Sequence, residues 1–220
     1  NTSGSQYINW FFRRAPGVFD QVCYTGTGAA HTEAHNLGIT PELMIVKKRS
    51  TFDQWVVYTS TTGNTGVFYL NANSAFPTST NIAWWNNTTP TATSFTIGTS
   101  AAVNQANETF IAYLFATKAG ISKVGSYTGN GTNQTIACGF SGGARFILIK
   151  RTDSTGDWYA WDTVRGIIAG NDPNLTLNTT AAEVTTDDSI DPDTSGFVVN
   201  QVAATNINVT SAAYIYLAIA

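Results

Sequence analysis

Four aspartates, Asp187, Asp188, Asp191 and Asp193, crowd into the stretch TDDSIDPDTSG that ends at Gly196. Closely spaced carboxylate oxygens beside a turn glycine are what a calcium ion takes as ligands. Against that, Pro192 interrupts the run, and the corresponding stretch of the first half, residues 86–98, contains no acid. Calcium at these four positions and a solvated turn are the two readings, and no other cofactor is expected. His31 and His35 in HTEAH lie four apart with Glu33 between them, a helical zinc spacing. On a strand, residues four apart sit roughly 13 Å from each other, so the pair is not expected to hold a metal.

Glycoside hydrolysis needs two carboxylates facing across a sugar, one protonated and one ionised. Asp53, Asp157, Asp162, Glu108 and Glu183 are the acids available, and nothing in their spacing pairs them. A serine nucleophile would need a histidine base, and the only histidines are His31 and His35, already set aside. The expectation is a protein that is not an enzyme. What remains is aromatic. Trp84 and Trp85 sit among Asn and Thr, side chains that would bind sugar hydroxyls while an indole face stacks on the ring, so this pair is the candidate glycan contact. For Trp55 and Trp158 core packing is the expectation.

Charged residues make up only 11% of the 220, and 34 Thr with 19 Asn replace them, so the surface is hydroxyl and amide. A net charge of -3 lacks the basic excess that nucleic-acid binding leaves, and no nucleic acid partner is expected. No apolar run reaches the roughly 18 to 20 residues that span a bilayer, so membrane insertion is not expected either. Cys23 and Cys138 are read as small buried apolar residues.

The elements that must position these groups are written twice. YTGTG at residues 24–28 returns as YTGNG at residues 127–131, and the same offset carries Leu43 onto Phe146 and Trp55 onto Trp158 without a gap. Beyond Gly63 and Gly166 the offset drifts, yet Leu70-Asn71 still meets Leu177-Asn178 and Phe95 meets Phe197. The end of the unit occurs three times: residues 1–12 (NTSGSQYINWFF), 104–115 (NQANETFIAYLF) and 208–219 (NVTSAAYIYLAI). Residues 1–17 are therefore expected to be a leading strand and linker, either the end of a preceding repeat or a donated strand. Tyr7, Ile8, Trp10 and Phe12 would carry the assembly contact. Residues 18–120 and 121–220 are expected as the two repeats.

Short runs rich in Val, Ile, Phe, Tyr and Trp alternate with Gly, Asn, Thr and Ser, and no stretch sustains a helical period. The fold class expected is all-β: two tandem antiparallel β-sandwich repeats, jelly-roll-like, with an extra N-terminal strand.

YTGNG, GARFILIKR at residues 143–151, DWYAWDTVRG at 157–166, LNTTAAE at 177–183 and the closing AYIYLAIA at 213–220 together resemble an uncharacterised repeat of tailed-bacteriophage virion proteins, of tail-fibre and tail-tip type. The first half is similar through Trp55 but has Thr62-Gly63 where the second has Arg165-Gly166, and it lacks the AAE segment. The resemblance implies a non-enzymatic virion or extracellular structural protein that associates with itself or with other virion proteins and contacts host-surface glycans. It supplies no site residues. A carbohydrate-binding adhesin or lectin and a donor-strand filament or shell subunit are the alternatives. Arg165 is expected to pair with Asp162 as a structural contact of the second half.

Overall fold

A computed structural model describes residues 7–77 and 81–220 of the chain. In the first half, β1 (Phe19–Thr25), β2 (His31–Ala34), β3 (Leu43–Lys48), β4 (Trp55–Thr59), β5 (Gly63–Tyr69) and β6 (Ser94–Ile97) precede the one-turn helix α1 (Ala101–Asn104) and β7 (Thr109–Phe115). In the second, β8 (Ser122–Thr128), β9 (Gln134–Ala137), β10 (Phe146–Arg151), β11 (Trp158–Asp162), β12 (Leu175–Thr176), β13 (Ile190–Asp193), β14 (Gly196–Val199) and β15 (Ala213–Ile219) follow. The protein is all-β and its sheets are antiparallel. Among the described residues no helix is long and apolar enough to cross a membrane.

Two five-stranded sheets form the body, ordered β1-β7-β3-β4-β5 and β12-β11-β10-β15-β8. Read from opposite ends the two orders are the same, with the closing strands β7 and β15 second from one edge. Each large sheet has a small companion, β2-β6 in the first half and β13-β14-β9 in the second.

Because successive strand residues point to opposite faces, each large sheet offers two apolar surfaces, and both are used. Met44, Val46, Val56, Tyr58 and Leu114 join Phe95 and Ile97 of the small sheet in one core. Ile147, Ile149, Trp161, Tyr214 and Ala218 join Ile136, Phe197 and Val199 in a second. The alternate positions, Leu43, Ile45, Val57 and Phe68 from one half and Leu148, Trp158, Ala160, Ile215 and Leu217 from the other, build a third core between the two large sheets. This double coverage is why β3, β10 and β15 read as near-continuous apolar runs rather than as clean alternation.

Of the leading segment, residues 1–6 lie outside the described part, and residues 7–14 join no sheet. Among the described residues the leading segment finds no sheet to join, for a plain reason. A closing strand lies between the first and third strands of its half, and both such places are filled, by β7 and by β15. The segment instead crosses the rim of the third core, where Phe12 meets Phe19, Phe115 and Phe146 with centroids 5.4, 5.4 and 6.0 Å away.

Candidate functional site

The leading segment and the end of the second half enclose an open groove of about 1120 Å³, lined by Trp10, Phe11, Phe146, Asp162, Arg165 and Glu183 among others. Its floor follows from how β11 stops. At Asp162 the strand turns: Oδ1 accepts the N–H groups of Val164 and Arg165, both at 3.1 Å, and the Asp162 carbonyl accepts the N–H of Gly166 at 3.0 Å. An aspartate that bonds its own backbone two and three residues on is a standard turn former. The turn folds Arg165 back, so that its Nε donates to Asp162 Oδ2 at 2.8 Å, Nη2 to the Ala160 carbonyl at 3.0 Å and Nη1 to Glu183 Oε1 at 3.3 Å. The expected Asp162–Arg165 pair is present.

Trp10 closes the floor. Its indole N–H donates to Asp162 Oδ2 at 3.1 Å, its ring meets Phe146 edge-on at 5.6 Å, and the Arg165 guanidinium lies 5.9 Å from the ring centroid. Burial pushes the Asp162 carboxyl up, but the Arg165 side chain and N–H, with Trp10, outweigh it and hold the group below the usual carboxylate range. An ionised carboxylate accepting four hydrogen bonds has no free lone pair with which to take a proton from a substrate. In the first half Thr59 and Thr62 replace the ion pair, with hydroxyls 2.9 Å apart. The groove's wall above this floor is apolar and bare: Phe11 is 92% and Val164 87% exposed.

The other expected sites come apart in the structure. Trp84 and Trp85 stand in a turn, not on a strand. Trp85 is 1% exposed, packed edge-on to Tyr58 with its N–H on the Gly66 carbonyl, so it offers no face to a sugar. Trp84 leans on the same core and its indole N–H is enclosed.

The aspartate cluster holds no metal geometry: among the described residues no three His, Cys, Asp or Glu side chains converge on a common point. The reason lies in β13. Ile190 to Asp193 pair as an edge strand against β14, where Pro192 is tolerated, and the four carboxylates are spread over that strand and the loop before it. Asp193 caps its own turn through Ser195, while Asp188 and Asp191 each accept from the Asn200 amide at 2.9 Å. His31 bonds Glu33 at 3.1 Å, and His35 lies buried against the Thr91 carbonyl at 3.2 Å. Cys138 is buried, but Cys23 is exposed on the edge strand β1, where Gln21 and Arg49 approach its sulfur. Trp158, 2% exposed, lies in the core between the large sheets.

The residues that organise each half were not singled out from the sequence. The Tyr24 hydroxyl donates to the Val103 carbonyl at 2.7 Å, and the Tyr127 hydroxyl donates to Ile207 at 2.6 Å. The next residues, Asn104 and Asn208, are both fully buried. Asn104 Oδ1 accepts the Thr27 N–H at 2.8 Å and its amide donates to Ala29 and Gly98; Asn208 Oδ1 accepts the Asn130 N–H at 2.9 Å and its amide donates to Thr132 and Val199. Each asparagine thus pins one glycine loop. Gly28 and Gly131 take positive φ there, while Gly26 and Gly129 lie so close to the facing main chain that a Cβ would fall 2.2 Å from a carbonyl oxygen. The signal was available: an asparagine opens all three closing segments, at positions 1, 104 and 208.

A layered all-β protein with a half-covered aromatic segment over an ionic floor is the class these features define. The chain belongs to the family described as a domain of unknown function, DUF7483, whose model matches residues 1–220. No curated protein and no solved structure matches it.

Proposed function

We propose that this protein is a non-enzymatic structural component of an extracellular or virion assembly, of phage tail-fibre or tail type. In this reading it is two tandem β-sandwich units that associate with other copies or with other virion proteins. The observation that carries it is the leading segment: Trp10 is half-buried and Phe12, 40% exposed, rests on Phe19, while Phe11, on the same groove wall as Val164, stands almost wholly in water. A monomer rarely leaves large apolar side chains clustered in the open unless something covers them. The low charge of the surface also favours assembly, since neutral amides and hydroxyls pack with little desolvation cost. Supporting a binding use of the groove over a catalytic one, its buried carboxylate is already saturated by Arg165, Trp10 and two backbone N–H groups.

Negative-stain electron microscopy and sedimentation of the full chain test the reading. Fibres, tails or shells that disperse on Phe11→Asp are the expected result. Monomers at every concentration, with host-surface glycans retained on an array, would replace it with the lectin alternative.

A further inference from the structure

We propose that residues 7–12 are a closing strand held ready for a third β-sheet of the same class, one that lies outside residues 7–220 and is vacant between its own first and third strands. This rests on the assembly reading.

Three observations lead there. The segment matches the two closing strands position by position: Ile8 falls on Ile111 and Ile215, Trp10 on Tyr113 and Leu217, Phe12 on Phe115 and Ile219. The main chain of residues 8–14 is unspent, since among the described residues no backbone hydrogen bond joins it to another segment. In β7 and β15 that main chain is paired on both sides.

The third observation is which side chains are covered. In β15, Ile215 and Leu217 face the core between the large sheets, and Phe115 of β7 does the same. Their counterparts Trp10 and Phe12 rest on the rim of that same core. Leu114 and Ala218 face the private core of their own half and are fully buried. Phe11, their counterpart, is 92% exposed. With Trp10 half-buried and Phe12 40% exposed, the segment has part of a closing strand's environment on one face and none of it on the other. What would cover the bare face is the inner surface of a sheet whose small companion lies outward, as in both halves here. Main-chain pairing would give the affinity of such an addition and the alternate side-chain pockets its register.

The test joins residues 17–103 directly ahead of residue 1 of the full chain, so that residue 103 runs into residue 1 as it natively runs into residue 104. This supplies a body that has every strand but the closing one. Asn9 takes the place of Ala112, which is fully buried, so a second fusion carries Asn9→Ala to relieve that position. The expected result is a product protected along its whole length against limited proteolysis, with unchanged ellipticity per residue, in at least the Asn9→Ala form, and loss of that protection on Phe11→Asp. Digestion of both fusions back to the 220-residue chain, itself still folded, would overturn the proposal. Ordered particles of the native chain alongside such digestion would leave the assembly reading standing, and monomers alongside a protected fusion would remove that reading while keeping the strand assignment.

Discussion

The Trp158 indole N–H donates to the Tyr69 carbonyl at 3.0 Å, which ties the start of β11 in the second half to the end of β5 in the first. The ring is 2% exposed and stands edge-on to Phe68 with centroids 6.0 Å apart. Trp158→Phe, which keeps most of the volume but drops the donor, should cost about 1 to 2 kcal/mol. Trp158→Ala should cost about 3 to 5 kcal/mol, because it also opens a cavity between the large sheets. Urea titration followed by circular dichroism measures both, and equal losses for the two variants would count against the hydrogen bond.

Asn104 and Asn208 do the same work in the two halves, so their replacements should behave alike. Alanine at either position leaves several buried backbone groups without partners, each worth about 1 to 3 kcal/mol. The expected outcome is a variant at the edge of folding in both cases, read as a collapsed thermal transition. A mild effect at one site only would show that the two glycine loops are held differently.

Arg165→Met removes the guanidinium from a pair whose side chains are 10% and 5% exposed. Leaving Asp162 buried with less compensation should cost about 3 kcal/mol. The leading segment should loosen as well, because Trp10 loses the cation over its ring. Trypsin cleavage at the exposed Arg13 and Arg14 should then run faster than in the parent chain.

Asp172 sets the pH response. Burial pushes its carboxyl up to about 6, against the opposing N–H bonds of Ile168 and Ile190, and the charges of Asp188 and Asp191 push it the same way. A carboxyl raised on folding binds its proton more tightly in the native state, so its stabilising effect is complete below the unfolded value near ~3.9 and is lost as pH rises through about 6. Asp162, held low, acts oppositely, but only as pH falls below that same unfolded value. The melting temperature should therefore rise from pH 8 to pH 5, and Asp172→Asn should flatten that rise. An unchanged slope in the variant would assign the effect elsewhere.

The strands and the twofold writing of the unit were legible because Tyr, Gly and apolar spacing survive a gapless register from Gly17 to Trp55. Trp158 as a packing residue was legible for the same reason, since its partner position is also Trp. Trp84 and Trp85 were chosen for their Asn and Thr neighbours, which do not fix where a turn points an indole, and Trp85 is 1% exposed. The calcium expectation at Asp187, Asp188, Asp191 and Asp193 took proximity in sequence for convergence in space, and a paired edge strand spreads those carboxylates. The groove was out of reach, because it exists only where Trp10, Asp162 and Arg165 meet across 152 positions of chain.

Both halves meet through the same face of the same sheet, at matching positions. A contact of that kind is isologous: it satisfies both participants at once and closes, unlike a head-to-tail contact, which always leaves one end open. A third body therefore finds no such face on offer. Any polymer of this chain would have to grow through surfaces other than this one, and its rise and twist per subunit would be set there, independent of the broad apolar layer that holds each molecule together.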